Sequence, residues 1–155
     1  MKQIIELKVR SYELDSYNHV NNAVYLNYLE YARMEYLNNI GFDFKSLTEE
    51  GYMLYVTHID IKYKFSARLN EKLFIEVEHT KLGKLSGTFH QIIRNENDQI
   101  CVEADVSWGC VNKDGRPSKM PEKYVVEGLQ PISTEQVNTV SDCSRQYSIK
   151  STVRR

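Results

Sequence analysis

The sequence from residue 9 to residue 37 reads VRSYELDSYNHVNNAVYLNYLEYARMEYL. Residues 3–13 alternate between apolar and polar side chains, which is the pattern of a strand. A polar loop over residues 15–22 follows this strand. From residue 23 to residue 40 the apolar side chains take helical spacing and cover most sides, which predicts one long helix with little exposed surface.

Beyond this helix the sequence predicts a run of strands. A short turn or half-helix occupies residues 42–52, and alternation then recurs in four segments, residues 54–65, 73–80, 85–94 and 99–112. One strand, one buried helix and four meandering strands predict an α+β fold, with an antiparallel sheet curled around a single long helix. We expect one domain over residues 1–128 and a polar tail or extension over residues 129–155.

The composition is that of an ordinary globular protein of 155 residues, 41% hydrophobic and 26% charged. A net charge of −1 gives no electrostatic reason to expect nucleic acid or an anionic membrane as a partner. No apolar segment approaches the roughly 20 residues that span a bilayer, and the N-terminus lacks a signal-peptide pattern. Three cysteines without disulfide or metal spacing favour a reducing, cytoplasmic location.

The polar loop suggests acyl transfer or hydrolysis. The carboxylate of Asp15 can activate water or attack a carbonyl carbon, and His19 can donate a hydrogen bond or orient a water molecule. Backbone N–H groups around residues 22–24, at the positive end of the helix dipole, can hold an oxyanion. The alternative is an ordinary turn, in which Asn21 or Asn22 caps the helix and His19 is a structural histidine.

The other histidines do not suggest a metal site. His58, His79 and His90 each lie singly on a predicted strand, at the surface or lining a pocket, without ligand partners at a regular spacing. The chain also lacks a Gly-rich phosphate loop and a G-x-S-x-G nucleophile motif. We therefore expect chemistry that needs neither a metal ion nor a redox cofactor.

Residues 15–25, DSYNHVNNAVY, and residues 28–37, YLEYARMEYL, together resemble the active-site loop and helix of hotdog-fold acyl thioesterases. This group includes 4-hydroxybenzoyl-CoA thioesterase and the YbgC-type acyl-CoA thioesterases, and the HVNN core is similar to that of plant acyl-ACP thioesterases. Two later segments also resemble the family, ARLNEKLFI at residues 67–75 and WGCVNKDGRP at residues 108–117. The resemblance implies the hotdog fold, a sheet wrapped around one long helix and dimerised into a continuous sheet.

The same resemblance implies roles for individual side chains. Asp15 corresponds to the family's catalytic carboxylate, a nucleophile or a general base depending on the member. His19 corresponds to the catalytic histidine of the plant enzymes, and Tyr25 to a tyrosine beside the helix start. Asn22 stands where YbgC-type enzymes carry a histidine, and Tyr17 where the plant enzymes have a catalytic asparagine.

In this family CoA lies along the subunit interface with its phosphates near basic side chains. The resemblance therefore makes Tyr17, Arg68 and Lys84 candidate CoA contacts, and it makes Ser86 a candidate for lining the pantetheine tunnel. The alternative is that these are solvated charges and polar groups of an edge strand and a hairpin.

The expected function is hydrolysis of acyl-CoA to a free fatty or aromatic acid and CoA, with CoA entering only as part of the substrate. A homodimer is the minimum assembly because a five-stranded sheet leaves an edge open, and a homotetramer built as a dimer of dimers is the preferred state. The alternatives are an acyl-ACP thioesterase and a non-catalytic acyl-binding module that keeps the fold for oligomerisation.

Overall fold

The computed structural model describes residues 1–132, which form a five-stranded antiparallel sheet packed against one long helix. The strands are β1 (Lys2–Lys8), β2 (Met53–Tyr63), β3 (Lys72–Leu82), β4 (Ser86–Arg94) and β5 (Ile100–Val111). The helices are α1 (Asn22–Asn39) and α2 (Phe44–Glu49), with short 3₁₀ turns at Ser11–Glu13, Glu122–Tyr124 and Glu127–Leu129. The strand order is β1-β3-β4-β5-β2, so that the predicted α+β fold is confirmed.

One face of the sheet supplies most of the core. On β3 the side chains of Leu73, Ile75 and Val77 are fully buried, whereas the intervening Glu76 and Glu78 are partly exposed. This alternation follows from the two-residue period of a strand and places the apolar face toward α1. The four predicted strands after the helix agree with β2 to β5 within one or two residues at each end.

The helix α1 begins and ends where its capping residues predict. The side chain of Asn21 accepts a hydrogen bond from the Ala23 N–H at 2.8 Å, and Gly41 follows the C-cap residue with φ of +73°. The prediction that apolar packing covers α1 on most sides fails on one face. Leu26 and Tyr31 are 36% and 46% exposed, so this chain leaves part of α1 uncovered.

The first strand is shorter than the alternation predicts. It ends at Lys8, and the chain then forms the 3₁₀ turn Ser11–Glu13. The Arg10 backbone N–H and side chain both donate to the carboxylate of Glu13, which is 5% exposed. The ion pair between exposed Arg10 and buried Glu13, with its hydrogen bond to the backbone, therefore overrides the local strand pattern.

Residues 127–129 form a turn, here called the terminal turn, whose Leu129 is buried in the core. The predicted boundary after residue 128 falls within it. The prediction of a tail over residues 129–155 concerns mostly residues 133–155, which lie outside the described part of the chain. No helix within residues 1–132 combines the length and the apolar character needed to cross a bilayer.

Candidate active site

The polar loop holds Asp15 in a defined orientation. Its Oδ1 accepts hydrogen bonds from the N–H groups of Tyr17 at 2.8 Å and His19 at 3.2 Å, and its own N–H donates to the His19 carbonyl at 2.8 Å. Asn18 adopts φ of +60°, which lets the chain turn back within four residues. Within residues 1–132, Oδ2 of Asp15 has no hydrogen-bond partner, so one carboxylate oxygen is fixed and the other is available.

The connection between β2 and β3, residues 64–71, lies alongside this loop. The Val20 N–H donates to the Ala67 carbonyl at 2.9 Å, and His19 and Arg68 form an antiparallel backbone bridge. Arg68 is exposed, and it is therefore the basic residue that this pairing brings next to His19. Because 49 positions separate the two residues, this contact could not be predicted from the sequence pattern.

Glu13 stabilises the polar loop, and it was not predicted from the sequence as a site residue. Its carbonyl accepts the Asn21 N–H at 3.0 Å, so it joins the start of the loop to its end. Burial acts to raise the pKa of Glu13, but hydrogen bonds from the side chain and backbone of Arg10 outweigh it, and the pKa lies below its usual value. The Arg-x-x-Glu spacing of Arg10 and Glu13 is the signal that could have indicated this pair.

The helix start leaves one backbone amide open. The Ala23 N–H is bonded to the Asn21 side chain and the Val24 N–H to the Asn21 carbonyl at 2.9 Å. The Asn22 N–H has no acceptor in the part of the chain that the structure describes, while the Asn22 carbonyl accepts the Tyr63 hydroxyl at 2.9 Å. Of the amides predicted to hold an oxyanion, that of Asn22 therefore remains unoccupied.

Tyr25 is buried and links α1 to the connection between β2 and β3. It is 3% exposed, and its hydroxyl oxygen accepts the Ala67 N–H at 2.9 Å. Burial raises the pKa of Tyr25 to about 12, so the hydroxyl stays protonated at neutral pH. Its ring meets those of Tyr28 and Tyr63 edge-on, with centroids 6.0 and 5.7 Å away.

The predicted site residues fall into two groups. One end of the molecule carries the polar loop with Tyr17 and Asn22, together with Tyr25 and Arg68. Lys84 and Ser86 lie in and beside the β3–β4 hairpin, at the other end of an eleven-residue strand that spans about 33 Å. A single chain therefore does not bring Lys84 and Ser86 to the polar loop.

A cavity that opens to solvent lies between α1 and the apolar face of the sheet. Glu30, Arg33, Met34 and Leu37 of α1 form one wall. The opposite wall is mainly apolar and consists of Leu54, Val56, Phe89, Val106, Trp108 and Leu129. No residue of the polar loop lines this cavity, which begins farther along the helix.

Two buried polar contacts around the cavity were not predicted. Arg33 donates to the Gln91 side chain at 3.0 Å, and Gln91 donates to the Leu29 carbonyl at 3.0 Å, which joins α1 to β4. His79, predicted at the surface or lining a pocket, is fully buried. Its Nδ1 lies 2.6 Å from the Leu129 carbonyl, and its Nε2 accepts the Trp108 indole N–H at 3.1 Å.

Among residues 1–132, no three His, Cys, Asp or Glu side chains converge as metal ligands would. His90 instead pairs with Asp105 at 2.8 Å on the exposed face of the sheet, and His58 is exposed on β2. The polar loop and the helix start thus carry a carboxylate, an imidazole and an open backbone amide, which are groups suited to attack on a carbonyl carbon.

Comparison with known proteins identifies the family. The model of the thioesterase-like superfamily matches residues 9–129. The chain belongs to this superfamily. The matched residues include the polar loop, the whole of α1 and the terminal turn. The predicted resemblance to hotdog thioesterases is therefore confirmed.

Individual relatives carry thioesterase names. The chain is 36% identical over 128 residues to the long-chain acyl-CoA thioesterase FadM of Escherichia coli K12, covering 82% of this chain and 96% of that protein. It is 30% identical to the chloroplastic acyl-acyl carrier protein thioesterase ATL2 of Arabidopsis thaliana over 76% of this chain and 63% of that protein.

Solved structures share the fold. The crystal structure of YbaW from Escherichia coli is 34% identical, with a TM-score of 0.67 over 75% of this chain and 88% of that one. A protein of Aquifex aeolicus superposes with a TM-score of 0.76 at 23% identity over 83% of this chain and 99% of that one, which shows likeness of fold alone.

Proposed function

We propose that this protein hydrolyses acyl-CoA thioesters to a free acid and CoA. Membership of the thioesterase-like superfamily and similarity to FadM support this activity. The observation that carries the proposal is the carboxylate of Asp15, with Oδ1 held by two loop amides and Oδ2 unbonded within residues 1–132, close to the start of α1.

In the proposed reaction Oδ2 of Asp15 attacks the thioester carbonyl carbon, or it removes a proton from a water molecule that attacks instead. The carbonyl oxygen becomes an oxyanion, which the Asn22 N–H stabilises at the positive end of α1. The C–S bond then breaks, and CoA leaves as a thiolate because a thiol with pKa about 8.5 is a good leaving group. In the direct route, water subsequently hydrolyses the acyl-Asp15 anhydride.

The other candidate residues assist this step. His19 orients the water or the thioester, while Tyr25 has a positioning role because its hydroxyl already accepts the Ala67 N–H. Tyr17 is 79% exposed, and with Arg68 it offers an aromatic face and a positive charge to the nucleotide part of CoA. The reaction needs no metal ion or redox cofactor.

The proposed assembly is a homodimer joined along β2, with a dimer of dimers as its larger form. β2 is an eleven-residue edge strand with unpaired backbone groups on one side, and it exposes Tyr55 and Val56. An antiparallel pair of β2 strands would bring Lys84 and Ser86 of one subunit toward the other subunit. This arrangement would bring together the predicted CoA contacts, which lie far apart within one chain.

The proposal also covers the acyl carrier, the alternative functions and the compartment of the protein. The similarity to a chloroplastic acyl-acyl carrier protein thioesterase favours acyl-ACP as the second candidate substrate. A non-catalytic acyl-binding module is the third candidate. Within residues 1–132 the thiols of Cys101 and Cys110 are unpaired and buried, which suits the reducing cytoplasm.

Release of free thiol from short-chain, long-chain and aromatic acyl-CoAs and from acyl-ACP tests the function. We expect acyl-CoA turnover in the native protein and a loss of at least about a hundredfold in kcat for Asp15→Asn, because a positioned general base or nucleophile contributes at least this much. Asp114→Asn, an exposed turn substitution, is the matched control and should retain activity. Thermal stabilisation by acyl-CoA without thiol release would instead support the binding module.

A further inference from the structure

The cavity between α1 and the sheet begins at Glu30 and lies farther along the helix than the polar loop. Asn22, Leu26, Glu30 and Met34 are four residues apart and therefore share one stripe of the helix. Glu30 is a cavity residue and lies about 12 Å along the axis from Asn22. The cavity can thus be reached from the proposed oxyanion site along the partly exposed side chain of Leu26.

Leu129 lines the cavity from near the end of the described chain. This residue belongs to the terminal turn, which packs on the second half of α1. The Tyr36 hydroxyl donates to the Gly128 carbonyl at 2.6 Å. A Cβ atom at Gly128 would lie 2.4 Å from the Ile40 side chain, so the turn approaches the helix end as closely as only glycine allows.

Leu129 is held in this position by a buried hydrogen-bond chain. His79 Nδ1 donates to the Leu129 carbonyl, because Nε2 accepts the Trp108 indole N–H and must be unprotonated. His79 is fully buried, and Trp108 and Leu129 are both cavity residues. Leu129 therefore has a fixed position in the core, because His79 of β3 and Trp108 of β5 hold it there.

We propose that Leu129 is a specificity-determining residue, which forms the end wall of the acyl-chain site and sets the longest acyl chain that fits. The proposal rests on the proposed thioesterase function. The acyl group would lie along α1 from the thioester near Asp15 into the apolar cavity, with its methyl end against Leu129. Apolar side chains on the sheet side of this cavity match a saturated or unsaturated hydrocarbon tail.

The test measures kcat/KM over a series of saturated acyl-CoAs of increasing length for the native protein, Leu129→Val and Leu129→Phe. One methylene in an apolar pocket changes discrimination by about tenfold or more. We expect Leu129→Val to raise the ratio of long-chain to medium-chain kcat/KM by about tenfold, and Leu129→Phe to lower it by about tenfold. Unchanged ratios in both folded variants would overturn the proposal.

A control and a second measurement keep the outcome unambiguous. Leu73→Val truncates an equally buried leucine on β3 that does not line the cavity, and it should leave the chain-length ratio unchanged. Thermal stabilisation by non-hydrolysable thioether analogues of the same acyl-CoAs reports occupancy without turnover. Absence of thiol release would contradict the proposed function, whereas chain-length-independent stabilisation in the Leu129 variants would contradict the end wall.

Discussion

Individual side chains around the helix start divide into groups that the fold already uses and groups that remain available. The oxygens of the Tyr25 hydroxyl and the Asn21 side chain each accept a backbone N–H. Within residues 1–132, Asp15 Oδ2, the ring of His19 and the Asn22 N–H make no hydrogen bond. A thioester bound there would meet these three groups, and these are the groups to which the proposed chemistry assigns a role.

Tyr25 provides a prediction at this scale. Tyr25→Phe removes the acceptor of the Ala67 N–H and leaves this buried donor unpaired, so we expect the free energy of unfolding to fall by about 1–3 kcal/mol. Urea titration measures this loss. We expect kcat to fall by less than about tenfold, since the hydroxyl is engaged structurally.

Tyr63→Phe is the matched control for this variant. The Tyr63 hydroxyl donates to the Asn22 carbonyl, but the residue is 47% exposed and water can replace it. Its unfolding free energy should change by less than that of Tyr25→Phe. A Tyr25→Phe protein of native stability with kcat reduced about a hundredfold would contradict the positioning role and assign the hydroxyl to the chemical step.

Among the elements, the terminal turn depends on a titratable group. Burial lowers the pKa of His79 and outweighs the hydrogen bond to the Leu129 carbonyl, which acts to raise it. The neutral ring donates to Leu129 and accepts from Trp108. The positive charge of the N-terminal amine also lowers this pKa, and the rings in contact with His79 are those of Phe89 and Trp108. Protonation would put a second N–H against the indole N–H and break the chain of hydrogen bonds.

The pH dependence of stability follows from this shift. The stability due to neutral His79 is fully present above the unfolded-state pKa of about 6.5 and is lost as the pH falls toward the lower folded-state value. We expect the unfolding free energy in urea to decrease between about pH 7 and about pH 5. His79→Gln should lack this component, whereas His90→Gln, at a partly exposed position, should retain it. An equal decrease in His79→Gln would assign the effect to other groups.

The elements were largely predictable because their signals are local. The apolar spacing of α1, its Asn21 cap and Gly41, and the alternation in β2 to β5 all lie within a few consecutive residues. The end of β1 and the burial of His79 were not predictable. The first depends on the ion pair between Arg10 and the buried carboxylate of Glu13, and the second on contacts with residues up to 50 positions away.

In the whole molecule, the sheet has two edges of different character. β1 is seven residues long and carries charged side chains at Lys2, Glu6 and Lys8, which discourage strand pairing. β2 is eleven residues long and exposes Tyr55 and Val56. The position of Asp15 in its loop could be predicted from the sequence, but the separation of Lys84 from that loop could not, since it follows from strand length and hairpin direction.

The edge that forms the proposed dimer can be tested by light scattering. Tyr55→Lys introduces a charge on β2, and we expect it to convert the dimer to a monomer and to abolish most thioesterase activity. Ile4→Lys places the same charge on β1, where the isoleucine is 60% exposed, and it should leave the mass unchanged. Loss of the dimer in Ile4→Lys alone would assign the interface to β1.

Trp108 is the single tryptophan of the chain, and its indole both lines the cavity and donates to His79. Its fluorescence therefore comes from one known location beside the proposed hydrocarbon site. A tail entering the cavity would remove water from the indole and shift its emission to shorter wavelength, and a protonated imidazole alongside would quench it. The protein thus carries an intrinsic optical probe for ligand entry and for the ionisation of one buried histidine.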